Sequence, residues 1–490
     1  MTYYLLHAGQ PSARRLLKRV PILKPYVSSS NIGSGDVVIR YGGSPEADPH
    51  QGTVFNPQNA IQRTASRGAM ARFLRRIGVR VWTKDRGQSE DARLLRQYRI
   101  PMFDLTPLTC FRCDGNQVWI NQRIQRVQDS FREVPLDDDR VTVRAVRLAS
   151  RVLHALGLDH GMVSIGMAQQ GVLYVLDVTA SPVLHGRMLD LYARAVEDFM
   201  AREDRVAETG TSAFLLGADM ELMLRNPVGK MVLASNYFGR KGRVGCDDRS
   251  LQFDGQRLPL MELRPEPDAS PLGLMANLRD TMMEATRKID RAQVEWRAGS
   301  MPFKRYCTGG HIHFSSVPFS SRFVKVLDNY LGLPLMMVED PRTARLRRPR
   351  YGFLGDVRHK DYGGFEYRTP GSFIVSPDIT VAAFCLAYVV AVHHRELPIV
   401  DLYDERLQFA FFNGGHEILK PIVERNFEAL SGLTAYERYK NYIDPLFEMI
   451  RQGQTWDESV DIRTLWGIPL HGQRKSSVRR VQRRAARARA

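Results

Sequence analysis

Four short stretches in the second half of the chain share one pattern, and it constrains the fold more than any bulk property does. "GADMELML" places Asp219 and Glu221 at i and i+2, "LMELRP" does the same with Glu262 and Arg264, "GGHIHFSS" with His311 and His313, and "GGFEYRTP" with Glu366 and Arg368. Side chains two apart point to one face of a β-strand. The residues between them, Met220, Leu263, Ile312 and Tyr367, are apolar or large. If those face a core, the other side of the sheet collects four carboxylates, two imidazoles and two guanidiniums. A solvated strand face also alternates polar with apolar, but it draws as readily on Lys, Thr, Ser and Gln. Clustered carboxylates repel unless cations intervene. Arginines meet part of that need. Mg2+ or Mn2+, which take oxygen ligands, would meet more of it, and no thiolate joins the set to favour zinc.

Strand runs interrupted by helices predict an α+β domain built on one antiparallel sheet. Strands are expected over 213–224, 230–235 and 258–265, a helix over 274–293, an Arg-rich loop over 342–350 and an apolar helix from Ser376. The first half reads as a strand at 36–41, a helix within 56–82 feeding a short strand, and a helix over 139–157. A strand hairpin over 161–178 and a helix over 184–202 complete it. The polar stretch 203–212 marks a boundary. Three regions result: 1–205, 206–470 and a basic tail, 471–490.

A chain of 490 residues accommodates two or three domains. No apolar run reaches the roughly 18 residues of a membrane span. The longest, "TVAAFCLAYVVAV" (380–392), reads as a buried helix. The N-terminal segment shows no apolar stretch before a small-residue cleavage site, so a cytoplasmic location is expected. Five cysteines make no disulfide framework. Cys110 and Cys113 read as ordinary thiols near a hairpin, because a structural zinc site wants four ligands. Net charge is +17, and residues 474–490 hold eight basic side chains and no acidic one. Such a tail is either a solvated, disordered terminus or a non-specific contact for nucleic acid.

The motifs "GADMELML", "GCDDRS…LMELRPEP", "GGHIHFSS" and "YGFLGDVRHKDYGGFEYRTP" run in that order between 213 and 380. Together they resemble the glutamine synthetase / glutamate–cysteine ligase superfamily of carboxylate–amine ligases, and within it the phage-type COOH–NH2 ligase branch. The resemblance implies a glutamine-synthetase-like curved antiparallel sheet with helices, whose funnel holds ATP and two or three divalent metals, Mg2+ or Mn2+. It implies Asp219, Glu221, Glu262, His311 and Glu366 as metal ligands, with Asp247 helping. Arg368, Arg264 and His313 take catalytic places, Arg368 facing the transferred phosphoryl group or the substrate carboxylate. Arg345, Arg350 and Arg358 are implied as phosphate contacts. His311, rather than His313, is expected nearer to metal or phosphate. One departure is Asp219, which stands where glutamate is commoner. The implied partners are a carboxylate and an amine, on small molecules or peptides. The residues suit that chemistry: activating a carboxylate as an acyl phosphate demands positioning and charge neutralisation rather than a protein nucleophile. Cys307 reads as a core thiol.

The stretch 149–184 is similar to the end of ATP-grasp ligases. Ser164, Asp177 and Thr179 stand where that family has aspartate, glutamate and asparagine, and Arg67 stands where a lysine is usual. Residues 1–200 contain only Lys18, Lys24 and Lys84. One aspartate and one threonine hold a metal poorly. The expectation is an ATP-grasp-like domain that has lost catalysis. Two functions compete: an ATP-dependent amide ligase with its chemistry in 213–380, and an inactive scaffold with a nucleic-acid- or virion-associated tail. The intact carboxylate set favours the ligase.

Overall fold

The computed structural model describes residues 1–82, 94–114, 117–120, 123–126, 130–209, 213–289, 293–361 and 363–469. Lys84, positions 210–212 of the expected boundary and the basic tail from 471 lie outside the described residues. The chain forms two compact units, Met1–Gly210 with Tyr403–Arg406, and Thr211–Leu402 with Leu407–Ala490.

The first unit opens with four short parallel strands in the order Lys24–Pro25, Tyr3–Leu6, Val37–Arg40, Thr53–Phe55. An antiparallel sheet follows, ordered Arg132–Val134, Cys110–Asp114, Arg96–Phe103, His160–Met167, Leu173–Thr179. Helix Arg140–Ala155 buries Ala145, Ala149 and Val152, and it packs on this sheet. Its start is set by Asp139, whose carboxylate accepts the Thr142 N–H at 2.7 Å. The helix expected within 56–82 is two helices, Gln58–Ala65 and Arg67–Arg76. They break at Ser66, which leaves helical geometry to cap the second through the Ala69 N–H. The strand they feed shrinks to a single parallel bridge, Val81 to Val175. Cys110 and Cys113 are buried and lie outside any disulfide.

The second unit is organised by the long strand Leu215–Arg225. Leu260–Leu263 and then Val244–Cys246 extend the sheet on one side. Gly310–Ser315, Phe365–Tyr367 and Val357–His359 extend it on the other. All these pairings are antiparallel. Met220, Leu222, Leu263, Ile312, Phe314 and Tyr367 are fully buried. Phe314 stacks on Phe365 at 5.2 Å, and Phe323 of helix Ser321–Leu327 meets both rings edge-on. Truncating Phe314 to alanine should cost roughly 3–5 kcal/mol. Helix Pro377–His393 is apolar on nearly every side, as a core helix must be. Ser376 caps it, with proline at the first helical position. Helices Pro271–Lys288 and Thr434–Arg451 pack against it.

Two expectations change here. Residues 342–350 are not all loop: Pro341–Arg347 is a helix, started by Asp340, whose carboxylate accepts the Arg342 N–H at 2.9 Å. The strand expected over 230–235 is only Met231–Val232. No helix among the described residues is long and apolar enough to cross a membrane.

Candidate active site

Strand register assembles the site. Glu221 lies opposite Glu262, Asp219 opposite His311, His313 opposite Glu366, and Glu366 opposite Arg358. Residues paired across an antiparallel ladder share a face. The polar pairs therefore converge on the side away from Met220, Leu263, Ile312 and Tyr367. Asp219, Glu221, Glu262, His311 and Glu366 are buried there, while Arg264, His313 and Arg368 are partly exposed.

Two groups of ligating atoms result. Glu221, Asp247 and Glu262 bring carboxylate oxygens within 4.8 Å of one another, and the ligand atoms of Asp219, His313 and Glu366 do the same. In the first group, Arg249 reaches Glu221 at 2.5 Å and Asp247 at 2.6 Å, and Arg264 pairs with Glu262. Burial, then the charge of Asp219, pushes the Glu262 carboxyl up to about 8 against the pull of Arg264. Burial also raises Glu221, with Arg249 opposing. Three carboxylates share two guanidiniums, so with all three ionised, as metal ligands must be, negative charge is left over. An all-oxygen donor set with surplus negative charge fits a hard divalent cation such as Mg2+.

The second group is furnished differently. Glu366 is fully buried and meets Arg358 at 2.6 Å, Arg368 at 3.1 Å and the Lys360 ammonium. Lys360 also lies 4.0 Å from Asp219. His313 Nε2 stands 3.0 Å from Asp219 and 3.4 Å from Glu366. Burial alone would raise both carboxyls. Arg358 and Lys360 outweigh it at Glu366, and His313 with Lys360 outweighs it at Asp219, so both sit below their ordinary range.

Beside the first group is a small pocket, open to solvent, lined by Glu221, Arg249, His311, Arg347, Tyr351 and Arg368, among others. Arg347 is pinned by the carbonyls of Thr369 at 2.8 Å and Pro370 at 2.7 Å. His311 Nδ1 is buried without a hydrogen-bond partner. Burial, then the guanidiniums of Arg368 and Arg347, hold this imidazole well below its ordinary pKa, so it is neutral. Gly309 makes room for the ring: a Cβ there would stand 2.5 Å from His311 Nε2.

The sequence-expected residues fall into place unevenly. Asp219, Glu221, Glu262, Glu366, Asp247, Arg264, Arg358 and Arg368 converge as described. The two histidines go to different places. His313, not His311, joins a carboxylate group, because it is the cross-strand partner of Glu366 and faces Gly217, which has no side chain to hold it off Asp219. His311 turns into the arginine-lined pocket instead. Arg345 and Arg350 are exposed and do not line that pocket. In helix Pro341–Arg347 the buried side carries Ala344 and Arg347, which leaves Arg345 on the outer side. Arg249 and Lys360 are the side chains that sequence reasoning missed; Arg347 lies within the Arg-rich stretch it pointed to. Arg249 follows Asp247, and Lys360 follows Arg358, at the same i, i+2 spacing that marks the four strands. In the first unit, Ser164 pairs with Asp177, which is exposed, and the Thr179 hydroxyl accepts the Ser181 N–H.

The sequence profile of the phage phiEco32-like COOH.NH2 ligase-type 2 family matches residues 216–468, just over half of the chain. No curated protein matches the chain. Solved structures similar to its N-terminal part include ATP-grasp ligases. One is ligase PsnB with a minimal precursor, 12% identical, covering 41% of this chain and 99% of its own, at a TM-score of 0.28. Another is the D-alanine–D-alanine ligase of Bacillus anthracis with ATP, 9% identical, covering 42% and 97%, at 0.31. A third is the bifunctional glutathione synthetase of Pasteurella multocida, 12% identical, covering 54% and 49%, at 0.31. Likenesses of this strength carry no argument about what the first unit does.

Proposed function

The chain belongs to the phage phiEco32-like COOH.NH2 ligase-type 2 family, and from that premise we propose that it joins a carboxylate to an amine at the expense of ATP, on the polar face of the second unit's sheet. The observation that carries this reading is the juxtaposition of an all-carboxylate group with an arginine-lined pocket, the two sharing Glu221.

Glu221, Asp247 and Glu262 would hold Mg2+ or Mn2+. The bound ion supplies charge neutralisation for phosphate oxygens. Arg249, Arg347 and Arg368 line the pocket from different elements and give the acid substrate's carboxylate a fixed cationic seat. His311, neutral and lacking a partner at Nδ1, orients the substrate by hydrogen bonding without adding charge. Arg358, partly exposed beside Glu366, keeps the phosphate-contact role expected of it together with Arg345 and Arg350. In the proposed reaction, a carboxylate oxygen of the acid attacks the terminal phosphorus of ATP and ADP leaves. The amine then attacks the acyl carbon, and inorganic phosphate leaves. No protein nucleophile is needed, which suits a pocket whose one thiol, Cys307, is buried and pushed above its ordinary pKa by that burial. The chemistry is assigned to residues 206–470, with acid and amine on small molecules or peptides; residues 1–205 are read as having no turnover of their own.

The test is turnover with an 18O-labelled acid. The full chain is incubated with ATP, Mg2+ and arrays of carboxylates and amines, and amide is read by mass spectrometry. The proposal expects ADP release with one 18O carried into phosphate. AMP and pyrophosphate as products, or amide without 18O transfer, would contradict it.

A further inference from the structure

The two ligand groups differ in charge, and the difference assigns them different cations. We infer that Lys360 is the resident cation of the Asp219–His313–Glu366 group, and that a divalent ion is taken only by Glu221, Asp247 and Glu262. This rests on the ligase reading only for the purpose the cations serve.

The charges within ion-pair distance decide it. Around the first group, three carboxylates meet two guanidiniums, Arg249 and Arg264. Around the second, two carboxylates meet three cations, Arg358, Lys360 and Arg368. A divalent ion entering the first group meets surplus negative charge. One entering the second meets a surplus of positive charge at a few ångströms, in surroundings where Glu366 is fully buried and water screens little. The ion would have to expel Lys360 from both of its carboxylates.

Lysine suits the part. Its ammonium is a compact point charge on a flexible stem, whereas a guanidinium is a flat fork. The Lys360 ammonium meets both Asp219 and Glu366, as a bridging metal ion would. Its backbone is fixed as well: the Lys360 N–H donates to the Gly364 carbonyl at 2.8 Å, and the Gly363 N–H donates to the Lys360 carbonyl at 3.1 Å. Asp219 in place of a longer glutamate is consistent, since the lysine stem supplies the reach that the shorter ligand gives up. The result is a cationic rim of Lys360, Arg358 and Arg368 that can receive phosphate oxygens without a second metal.

The experiment counts ions. The full chain is titrated with Mn2+ alone, without nucleotide, and free Mn2+ is read by electron paramagnetic resonance. Wild type should bind one ion per chain, Lys360→Arg one, and Lys360→Glu, which gives the second group the first group's balance of three carboxylates to two guanidiniums, two. Wild type binding none, or two of comparable affinity, overturns the inference, as does Lys360→Glu remaining at one. Should Lys360→Glu not fold, Asp219→Asn decides: an unchanged count of one supports the assignment, and loss of the ion overturns it. The count uses no substrate. A protein that binds one Mn2+ but forms no amide therefore refutes the ligase reading and leaves this inference standing.

Discussion

The two antiparallel sheets, one in each unit, obey the same pairing rules but leave different chemistry on their faces. The sheet of the second unit gathers Asp219, Glu221, Glu262 and Glu366, all buried, with histidines, arginines and a lysine among them. The positions in the first unit that a nucleotide-binding reading would use are Ser164, an exposed Asp177 and a threonine already hydrogen-bonded within its own turn. Burying charge is expensive unless partners are supplied, so a chain does it where function requires it. The exposed aspartate carries no such cost. Under the proposed function, this contrast is the reason the reaction is assigned to the second unit.

The comparison is broken most sharply by substitutions at the carboxylates. Glu221→Gln and Glu262→Gln keep volume and remove charge. Each should lower turnover by about 10³-fold, near the upper end of what loss of one fixed electrostatic partner costs, while the circular dichroism spectrum stays unchanged. Wild-type rates in both variants would reduce these carboxylates to a solvated strand face.

A second effect is pH. Glu262 must lose its proton to hold a metal ion, and its carboxyl is pushed up to about 8 by burial and by Asp219. Its proton competes with the metal below that value and not above it. Mn2+ affinity should thus rise by about tenfold per pH unit between 6 and 8, then level off, with proton release on binding below 8. Calorimetry in buffers of different ionisation enthalpy measures both. A flat affinity over that range would mean that Glu262 is not a ligand.

Gly309→Ala should have a smaller consequence. The added methyl displaces His311 from the pocket, and KM for the acid should rise about tenfold, as small misplacements in positioning groups do. An unchanged KM would remove His311 from substrate binding. Smallest of all, Asp177→Asn in the first unit should leave turnover within about twofold, as surface substitutions away from special features usually do. A loss comparable to that of Glu221→Gln would erase the distinction between the two sheets.

Much of the second unit was legible because a strand repeats every two residues. Four polar pairs with apolar residues between them sufficed to place Asp219, Glu221, Glu262 and Glu366 on one face. What the period cannot give is which residue faces which across the ladder. The histidine roles turned on Glu366 pairing with His313 and on the bare Gly217 opposite it. Arg345 and Arg350 lie away from the pocket for another reason. Reading 342–350 as loop gave no grounds to prefer one arginine, whereas the helix started by Asp340 selects Arg347 and turns Arg345 outward. Lys360 and Arg249 carried the i, i+2 signal but lie at a strand edge and in a loop, where no apolar alternation flags them. In the first unit, Arg96–Phe103 has only a buried second half to announce a strand, and neighbours on both sides set its place in the sheet.

The most direct measurement is anomalous diffraction from crystals of the full chain grown with Mn2+ and a non-hydrolysable ATP analogue. The account predicts a manganese peak among Glu221, Asp247 and Glu262, with the nucleotide's phosphates against Arg358 and Arg368. Manganese and nucleotide seated instead on the first unit's sheet, against Ser164 and Asp177, would contradict it.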